Sequence, residues 1–293
     1  MRHSPFKTVT IAGGTGNLGY VIAEAFLNDG SYNVKILRKK PEKENEKAKL
    51  LASKGAEIIY ADYSQNDDLV KAIKGADVIV SAVNSDPKTE SFYNSQAPLL
   101  AAAKDASVKR FIPSEFTGRF KSGDHFIIDD KDKFREELEK SGLEYTYIEV
   151  GIFQEFFDWL GFDIKNKKAT FYVDANEKIP TTSLNDIGKY TVENLKIPEA
   201  RNARINIAGS FLSLNEYLEI FEKASGSKWE VIVDKDVRHR YKNNIEPVPQ
   251  FLDYYKAVLL QEGEVNLELD NDKFSFTPKP VTEFIEKLVK QAS

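Results

Sequence analysis

The sequence predicts an α/β fold in which a doubly wound parallel sheet is followed by a smaller C-terminal α/β lobe. Three observations support this prediction. A glycine-rich turn near the N-terminus separates an apolar run from an amphipathic stretch, short apolar runs then alternate with helical patterns, and this rhythm fades after about residue 155. Alternating strands and helices are typical of a parallel sheet that is covered on both faces.

The first half of the chain supplies the elements of this sheet in order. The predicted strands are 8–12, 33–37, 57–60, 77–81, 109–113 and 145–148. The predicted helices are 20–27, 68–74, 93–105 and 131–141. Right-handed crossovers place the C-terminal ends of all the strands on one edge of the sheet. We therefore expect any ligand site at that edge.

The second half is less regular, and we divide the chain into a first domain, 1–154, and a substrate-binding lobe, 155–293, from which some segments return to the first domain. Residues 153–162 are strongly aromatic, and 180–188 resembles the junction of a strand with a helix that continues to 195. Further helices are predicted at 214–224 and 281–290. The segment 235–250 has few periodic apolar positions and contains two prolines, so we expect loops there.

The glycine turn, Gly13-Gly14-Thr15-Gly16-Asn17-Leu18-Gly19, carries the most specific chemical signal. Between a strand and a helix, glycines permit a tight turn, close approach of main-chain N–H groups to a pyrophosphate, and close packing of helix on strand. A glycine-rich turn without a ligand is the alternative, but its context makes this a dinucleotide-binding (Rossmann) motif. The residues expected to bind are Gly13, Thr15, Gly16, Asn17, Leu18 and Gly19.

The end of the second strand indicates which dinucleotide is bound. A carboxylate there would hold a ribose 2′-hydroxyl, whereas a cation would hold a 2′-phosphate. The strand ends in Arg38-Lys39-Lys40, and no carboxylate follows until Glu42. Arg38 can stack on adenine and form a forked contact with phosphate. We therefore predict NADPH, bound by Arg38 and Lys39, and interpret most of the charged run to residue 49 as a solvated loop.

Loops after the next strands are expected to complete the cofactor site. Asp62 and Tyr63 would lie near the adenine, and Ser81, Ala82 and Val83 would lie near the pyrophosphate and ribose. Ordinary turn chemistry is an equally good explanation for each of these residues taken singly.

Composition excludes several classes of protein. The 293 residues carry a formal charge of −5, and basic residues are interspersed with acidic ones, so we expect no nucleic-acid partner. No apolar stretch is long enough to span a bilayer, and no apolar signal core precedes the first strand, so we expect a cytoplasmic protein. The chain has no cysteine and three widely spaced histidines, which excludes thiol chemistry and gives no metal-ligand pattern.

The commonest carbonyl-reduction apparatus is also missing. None of the 13 tyrosines is followed four residues later by lysine. That pair supplies the proton in most short-chain dehydrogenases and sugar-nucleotide epimerases, so an epimerase is disfavoured. A hydride-transfer enzyme with this sequence needs another proton donor or a substrate that requires little acid help.

The sequence resembles the isoflavone reductase-like branch of the NmrA-like proteins, which includes phenylcoumaran benzylic ether, pinoresinol-lariciresinol and eugenol-forming reductases. The segments that carry the resemblance are 13–19, Arg38, 96–103, 108–116, Lys131, 142–148 and, more weakly, 185–188. The block Phe111-Ile112-Pro113-Ser114-Glu115-Phe116 is the most specific of these. The resemblance implies an NADPH-dependent reductase, and it adds Ser114, Lys131 and Phe153 to the expected cofactor contacts.

By the same resemblance Lys131, four residues before Arg135, is the candidate general acid or base. Asp129 or Asp130 could cap the helix and place Lys131 in its first turn, where the helix dipole would lower the pKa of the ammonium, although Asp129, Asp130 and Asp132 oppose that effect. The alternative is an exposed lysine on a solvated helix face, like Lys133.

Two departures from the family pattern bear on the substrate. Thr117 stands before Gly118 where the reductases have glycine directly after Pro-Ser-Glu-Phe. Residues 149–153 replace a Ser-Asn-Cys-Phe-like segment, so Glu149 brings a carboxylate to the site. Phe153, with Phe156, Phe157 and Trp159, either forms an aromatic wall or packs in the core.

The resulting hypothesis is an NADPH-dependent reductase that transfers hydride to a small aromatic or conjugated substrate. The alternative is an NmrA-like redox sensor that binds NADP and a protein partner without turnover. Lys131 favours the enzyme, because such regulators generally lack the reductase lysine.

Overall fold

A computed structural model describes residues 3–85, 89, 91–118, 123, 126–260 and 267–292. His125 lies outside the described residues, as does part of the tail. The strands are β1 (Thr8–Ala12), β2 (Asn33–Lys39), β3 (Glu57–Ala61), β4 (Val78–Ser81), β5 (Arg110–Ile112), β6 (Glu144–Glu149), β7 (Ile152–Phe153), β8 (Phe162–Asp163), β9 (Lys168–Phe171), β10 (Lys178–Thr182), β11 (Ala203–Asn206), β12 (Ser210–Ser213) and β13 (Glu230–Val233).

The α-helices lie between and after these strands. They are α1 (Asn17–Asp29), α2 (Glu46–Ser53), α3 (Asn66–Ile73), α4 (Phe92–Asp105), α5 (Phe126–Lys140), α6 (Leu184–Asn194), α7 (Leu214–Ser225), α8 (Val237–Asn243), α9 (Phe251–Leu260) and α10 (Val281–Ala292). Short 3₁₀ segments occur at Gln154–Leu160, Pro198–Ala200 and Asn271–Lys273.

Seven parallel strands form the main sheet in the order β3-β2-β1-β4-β5-β6-β11. The chain reverses its direction of progress across the sheet between β1 and β4, and ligands bind at such a switch point in doubly wound sheets. This topology confirms the predicted fold class. All six strands predicted in the first half of the chain are present.

Successive side chains of a strand point to opposite faces of the sheet. Because these strands carry apolar side chains on both faces, helices cover both faces. Ile11, Ile36 and Val80 are fully buried in a core beneath α1 and α6. Ile79 and Phe111 belong to a second core beneath α3, α4 and α5. The parallel strands are thus buried on both faces, as their continuous apolar runs predict.

A third core holds together the smaller lobe. Two three-stranded sheets, β12-β10-β7 and β13-β9-β8, pack with α7 and α10 around a set of aromatic rings. Phe157 makes edge contacts with Phe162 and Phe221, with ring centroids 5.9 and 5.2 Å apart. Phe157 therefore packs in the core, which was one of the two interpretations of the aromatic segment.

Two segments from the second half return to the main sheet, β11 beside β6 and α6 against α1. Gly188 allows the close helix contact, since a Cβ there would lie 2.7 Å from the carbonyl oxygen of Val21. The predicted strand-to-helix junction at 180–188 and the helices predicted at 214–224 and 281–290 are all present.

Three sequence predictions about secondary structure were wrong. The charged run that was interpreted as loop contains α2, which Asn45 caps by accepting a hydrogen bond from the N–H of Ala48 at 2.9 Å. The segment 235–250 contains α8, and α9 follows it. Helix α5 begins at Phe126 and not at Lys131. Among the described residues, no helix is long and apolar enough to cross a membrane.

Candidate functional site

The glycine turn lies at the switch point, between the end of β1 and the start of α1. Gly13 has a φ of +77°, and a Cβ there would lie 2.6 Å from the carbonyl oxygen of Ala82. A Cβ on Gly19 would lie 2.1 Å from the carbonyl oxygen of Gly13. The close packing and the left-handed conformation therefore both require glycine, as the motif predicts.

The start of α1 leaves main-chain donors available at this turn. Gly16 is the N-cap residue and provides no side-chain cap, while its own N–H donates to the carbonyl of Gly13 at 2.9 Å. Gly16 and Asn17 are exposed, Thr15 is half-buried, and the half-buried Leu18 packs on the first core. The first N–H groups of a helix without a side-chain cap are suited to an anion.

The segment after β4 lies directly against this turn. Ala82 contacts Gly13 through its carbonyl, and the carbonyl of Val83 accepts a hydrogen bond from the Ser114 hydroxyl at 2.8 Å. Ser81 is fully buried, so its side chain points into the protein.

Cations collect beside the end of β2. Arg38 donates to the hydroxyl of Tyr60 at 3.0 Å and lies over that ring, 5.4 Å from its centroid. Lys39 is exposed and lies over the ring of Tyr63 at 5.0 Å. Lys47, on α2, donates to the side-chain oxygen of Asn17 at 3.2 Å. Lys47 thus lies at the glycine turn, although the sequence predicts a solvated loop at this position.

Ser114 and Glu115 connect α5 to the edge of the sheet where the glycine turn lies. The main-chain N–H of Ser114 donates to Gln96 at 2.8 Å, and the next main-chain carbonyl, that of Glu115, accepts from the Lys131 ammonium at 2.7 Å. The continuous contacts from the glycine turn through Val83 and Ser114 therefore lead to Lys131.

Lys131 is almost entirely buried, with 8% of its surface exposed. Its ammonium lies 5.0 Å from the centroid of the Phe92 ring. Burial lowers the pKa of Lys131, with Arg135 acting in the same direction, while the charges of Glu115 and Glu149 act to raise it. Lys131 is therefore not the exposed lysine of the alternative interpretation.

The predicted cause of that lowered pKa was wrong, however. Because α5 begins at Phe126, Asp129 and Asp130 lie inside the helix and Lys131 lies beyond its first turn. Asp129 accepts a hydrogen bond from the N–H of Gly123 at 2.7 Å. The helix dipole acts mainly within the first turn, so desolvation and neighbouring charges replace it as the explanation.

Two carboxylates that are paired with arginine lie beside Lys131. Arg135 binds the Glu115 carboxylate at 2.9 Å and also contacts Asp132. Glu149, at the end of β6, pairs with Arg204 on β11. The spacing from Lys131 to Arg135 could have indicated the first pair, but the second joins strands 55 residues apart and depends on the return of β11 to the sheet.

The other aromatic residues at the end of β7 and in the segment that follows it are more exposed than Phe157. Phe153 and Phe156 lie 5.9 Å apart between ring centroids, and 37% of Phe156 is exposed. Trp159 contacts Tyr255 of α9 edge-on, at 5.7 Å. The sequence could not separate these rings from the core aromatic Phe157.

Comparison with known proteins places the chain in a family. The family model for the NmrA-like family matches residues 5–275. The chain belongs to the NmrA-like family. Membership confirms the resemblance noted in the sequence, since the glycine turn, the Phe-Ile-Pro-Ser-Glu-Phe block and Lys131 all lie within the matched range.

Individual relatives of this NmrA-like protein are reductases by name. It is 31% identical to pinoresinol reductase 1 of Arabidopsis thaliana over 239 residues, which cover 76% of this chain and 75% of the relative. The structure of AtPrR2 with NADP+ and (+)-pinoresinol is 26% identical, has a TM-score of 0.77, and the match covers 97% of this chain and 99% of that chain. The leucoanthocyanidin reductase–NADPH complex from Vitis vinifera is 25% identical, with a TM-score of 0.74 and coverage of 97% and 99%.

Proposed function

We propose that the protein is an NADPH-dependent reductase that transfers hydride to a small aromatic or conjugated substrate, with Lys131 as its general acid or base. The observation that carries the proposal is that the Lys131 ammonium is buried. A series of contacts through Ser114 and Val83 connects it to the glycine turn at one edge of the sheet. Relatives named pinoresinol reductase and eugenol synthase, and related structures with NADP+ and NADPH, support it.

The residues at the switch point fit this cofactor. Gly13 and Gly19 let the turn pack closely on its neighbours, since a Cβ at either would collide with main-chain oxygens. The exposed Gly16 begins α1 without a side-chain cap, so the first N–H groups of the helix can bind a pyrophosphate. Ala82, Val83 and Ser114 form the adjoining wall. We assign Arg38, Lys39 and Lys47 to the 2′-phosphate, since a guanidinium and two ammonium groups there favour NADPH over NADH.

The cofactor, when bound, supplies the hydride from nicotinamide C4. The chain itself supplies the group that transfers the proton. Lys131, held by the Glu115 carbonyl, can donate a proton to an oxygen of the substrate that gains negative charge, or remove one from a substrate hydroxyl. Its lowered pKa brings the two protonation states closer in free energy at neutral pH than in an ordinary lysine.

An aromatic substrate is consistent with the rings near this site. Phe92 lies against Lys131, and partly exposed rings are presented by Phe153, the last residue of β7, and by Phe156 just after it. We assign Phe153 to the boundary between cofactor and substrate. Exposed aromatic rings recognise planar substrates by stacking and edge contacts.

The test is a titration with NADPH and NADH followed by turnover. We expect tighter binding of NADPH and consumption of at least one member of a panel of aromatic enones, aldehydes and benzylic ethers, measured as loss of NADPH absorbance. Tight NADPH binding with no substrate consumed would reject the enzyme and favour the redox sensor. The division at residue 154, the cytoplasmic location and the absence of a nucleic-acid partner stay predictions.

A further inference from the structure

A small cavity lies beside Lys131. Its volume is about 20 Å³, and its lining includes Lys131, Glu115, Arg135, Glu149 and Arg204. A polar cavity of this size can hold one water molecule, provided that two to four polar groups surround it. The lining supplies more than that number of charged groups, so the cavity is suited to a water and not to an apolar group.

The described residues that line the cavity carry more positive than negative charge. Among the described residues that line it there are three cations, Lys131, Arg135 and Arg204, and two carboxylates, Glu115 and Glu149. The Glu115 carboxylate is bound by Arg135 at 2.9 Å, and both side chains are buried. Removing the charge of Glu149 would leave three cations with one carboxylate, which disfavours the protonated form of Lys131.

Glu149 is built into the fold and is not a surface acid. Its side chain is 5% exposed at the end of β6, and its partner Arg204 is 29% exposed and lies over the Tyr147 ring at 5.4 Å. A buried carboxylate is costly unless paired, so a second cation nearby stabilises it and is stabilised by it.

We propose that Glu149 is a positioning residue for Lys131, acting across this cavity through one buried water molecule and setting the protonation of the ammonium. The proposal rests on the proposed role of Lys131 in the reductase and deepens it. It also gives a role to the acidic residue that departs from the family pattern in this segment.

The other charged, titratable and aromatic groups near Lys131 are the same in the wild type and in a variant that changes only Glu149. Asp129, Asp130, Asp132 and Arg135 lie on α5, Glu115 follows β5, Tyr147 and Glu149 lie on β6, Arg204 lies on β11, and Phe92 and Tyr93 lie on α4. Of the two carboxylates that raise the pKa of Lys131, Glu115 is paired with Arg135 of α5, and Glu149 is paired with Arg204 of β11. Substitution of Glu149 therefore tests the cavity and leaves the Glu115 pair intact.

The experiment measures the titration of Lys131 directly, in the protein without substrate. Lysine is labelled with ¹³C at Cε, and Lys131→Arg identifies its signal. We expect the midpoint in Glu149→Gln to lie about one pH unit lower than in the wild type. Glu144→Gln, on the same strand and paired with Arg110 at 2.9 Å, should leave the midpoint unchanged.

The outcomes separate this proposal from the proposed function. An equal midpoint in Glu149→Gln and the wild type overturns the proposal, whether or not substrate is turned over. A midpoint that is lower in Glu149→Gln and returns toward the wild-type value in Glu149→Asp supports the proposal. The charge at this position, and not the fold, then determines the effect. A crystal structure with no ordered water in the cavity rejects the bridging water.

Discussion

The ammonium of Lys131 donates a hydrogen bond of 2.7 Å to the main-chain carbonyl of Glu115, which follows β5. A carbonyl neither titrates nor rotates freely, so it fixes the nitrogen without neutralising it. The Glu115 side chain is meanwhile bound to Arg135. One residue therefore positions the candidate acid through its main chain and tunes it through its charge.

Replacing Lys131 by alanine should reduce turnover by ~10²–10⁴-fold, the usual contribution of a general acid or base. NADPH binding should persist, because the glycine turn and the cations near Arg38 are untouched. Steady-state oxidation of NADPH and a binding titration give the two numbers. Lys133→Ala is the control, since that ammonium lies over the Tyr93 ring at 3.8 Å and not against Glu115. Equal activity in both variants would remove Lys131 from the mechanism.

Gly13→Ala should weaken NADPH binding by about tenfold or more, which corresponds to ~1.4 kcal/mol. The new Cβ would lie 2.6 Å from the Ala82 carbonyl and force the turn to open. Gly75→Ala is a matched control, because Gly75 has nearly the same φ, +78°, and no atom within 4 Å of an added Cβ.

Both glycine variants carry the strain of a left-handed alanine, ~1–2 kcal/mol. Denaturant unfolding measures that shared cost, and only Gly13→Ala should add a loss of NADPH affinity to it. A similar loss of affinity in Gly75→Ala would show that general destabilisation, and not the turn, is responsible.

Arg38→Ala should lower the affinity for NADPH by roughly 10–100-fold and leave the affinity for NADH nearly unchanged, as expected for the loss of a charged hydrogen bond of ~1.5–3 kcal/mol. Lys47→Ala should act in the same direction. Lys35→Ala is the control, since Lys35 lies on the same strand and pairs with Glu57 at 3.3 Å. An equal loss for both nucleotides would place Arg38 away from the 2′-phosphate.

The sequence predicts those parts of the site whose contacting residues are close together in the chain, and it does not predict contacts between residues that are far apart in the chain. The glycine turn is local, so its strand, its helix and its close contacts were predicted from seven consecutive residues. Lys131 is identified through a motif, but the helix that carries it begins five residues earlier than predicted, at Phe126 and not Lys131. The environment of Lys131 comes from β5, β6 and β11, which no single segment encodes.

The sequence of α2 contains a helix signal, but the high charge of the same run favours a loop. Asn45 is a good N-cap residue, and Ala48 and Leu51 are the buried positions of one helix face. The high charge of the run favoured a loop. The consequence was functional, because Lys47 extends from this helix to Asn17 at the glycine turn.

The last prediction concerns acid stability. Asp77, before β4, accepts hydrogen bonds from the N–H groups of Lys7 and Thr8 at 2.8 and 2.9 Å and pairs with Lys109 at 2.7 Å. Burial acts to raise the pKa of Asp77, but these hydrogen bonds outweigh burial and hold it below its usual value of 3.8. The stabilisation is therefore present above pH 3.8 and is lost as the pH falls through the lower, folded-state pKa.

Asp77→Asn should consequently be less stable than the wild type at pH 7, by ~1–3 kcal/mol, and this deficit should shrink as the pH falls below 3.8. Urea unfolding at a series of pH values measures it. Asp236→Asn is the control, because Asp236 is exposed and makes no side-chain cap hydrogen bond at α8. A deficit in Asp77→Asn that stays constant to pH 2 would mean that its charge does not tie β4 to β1, and that the variant is weakened by altered packing alone.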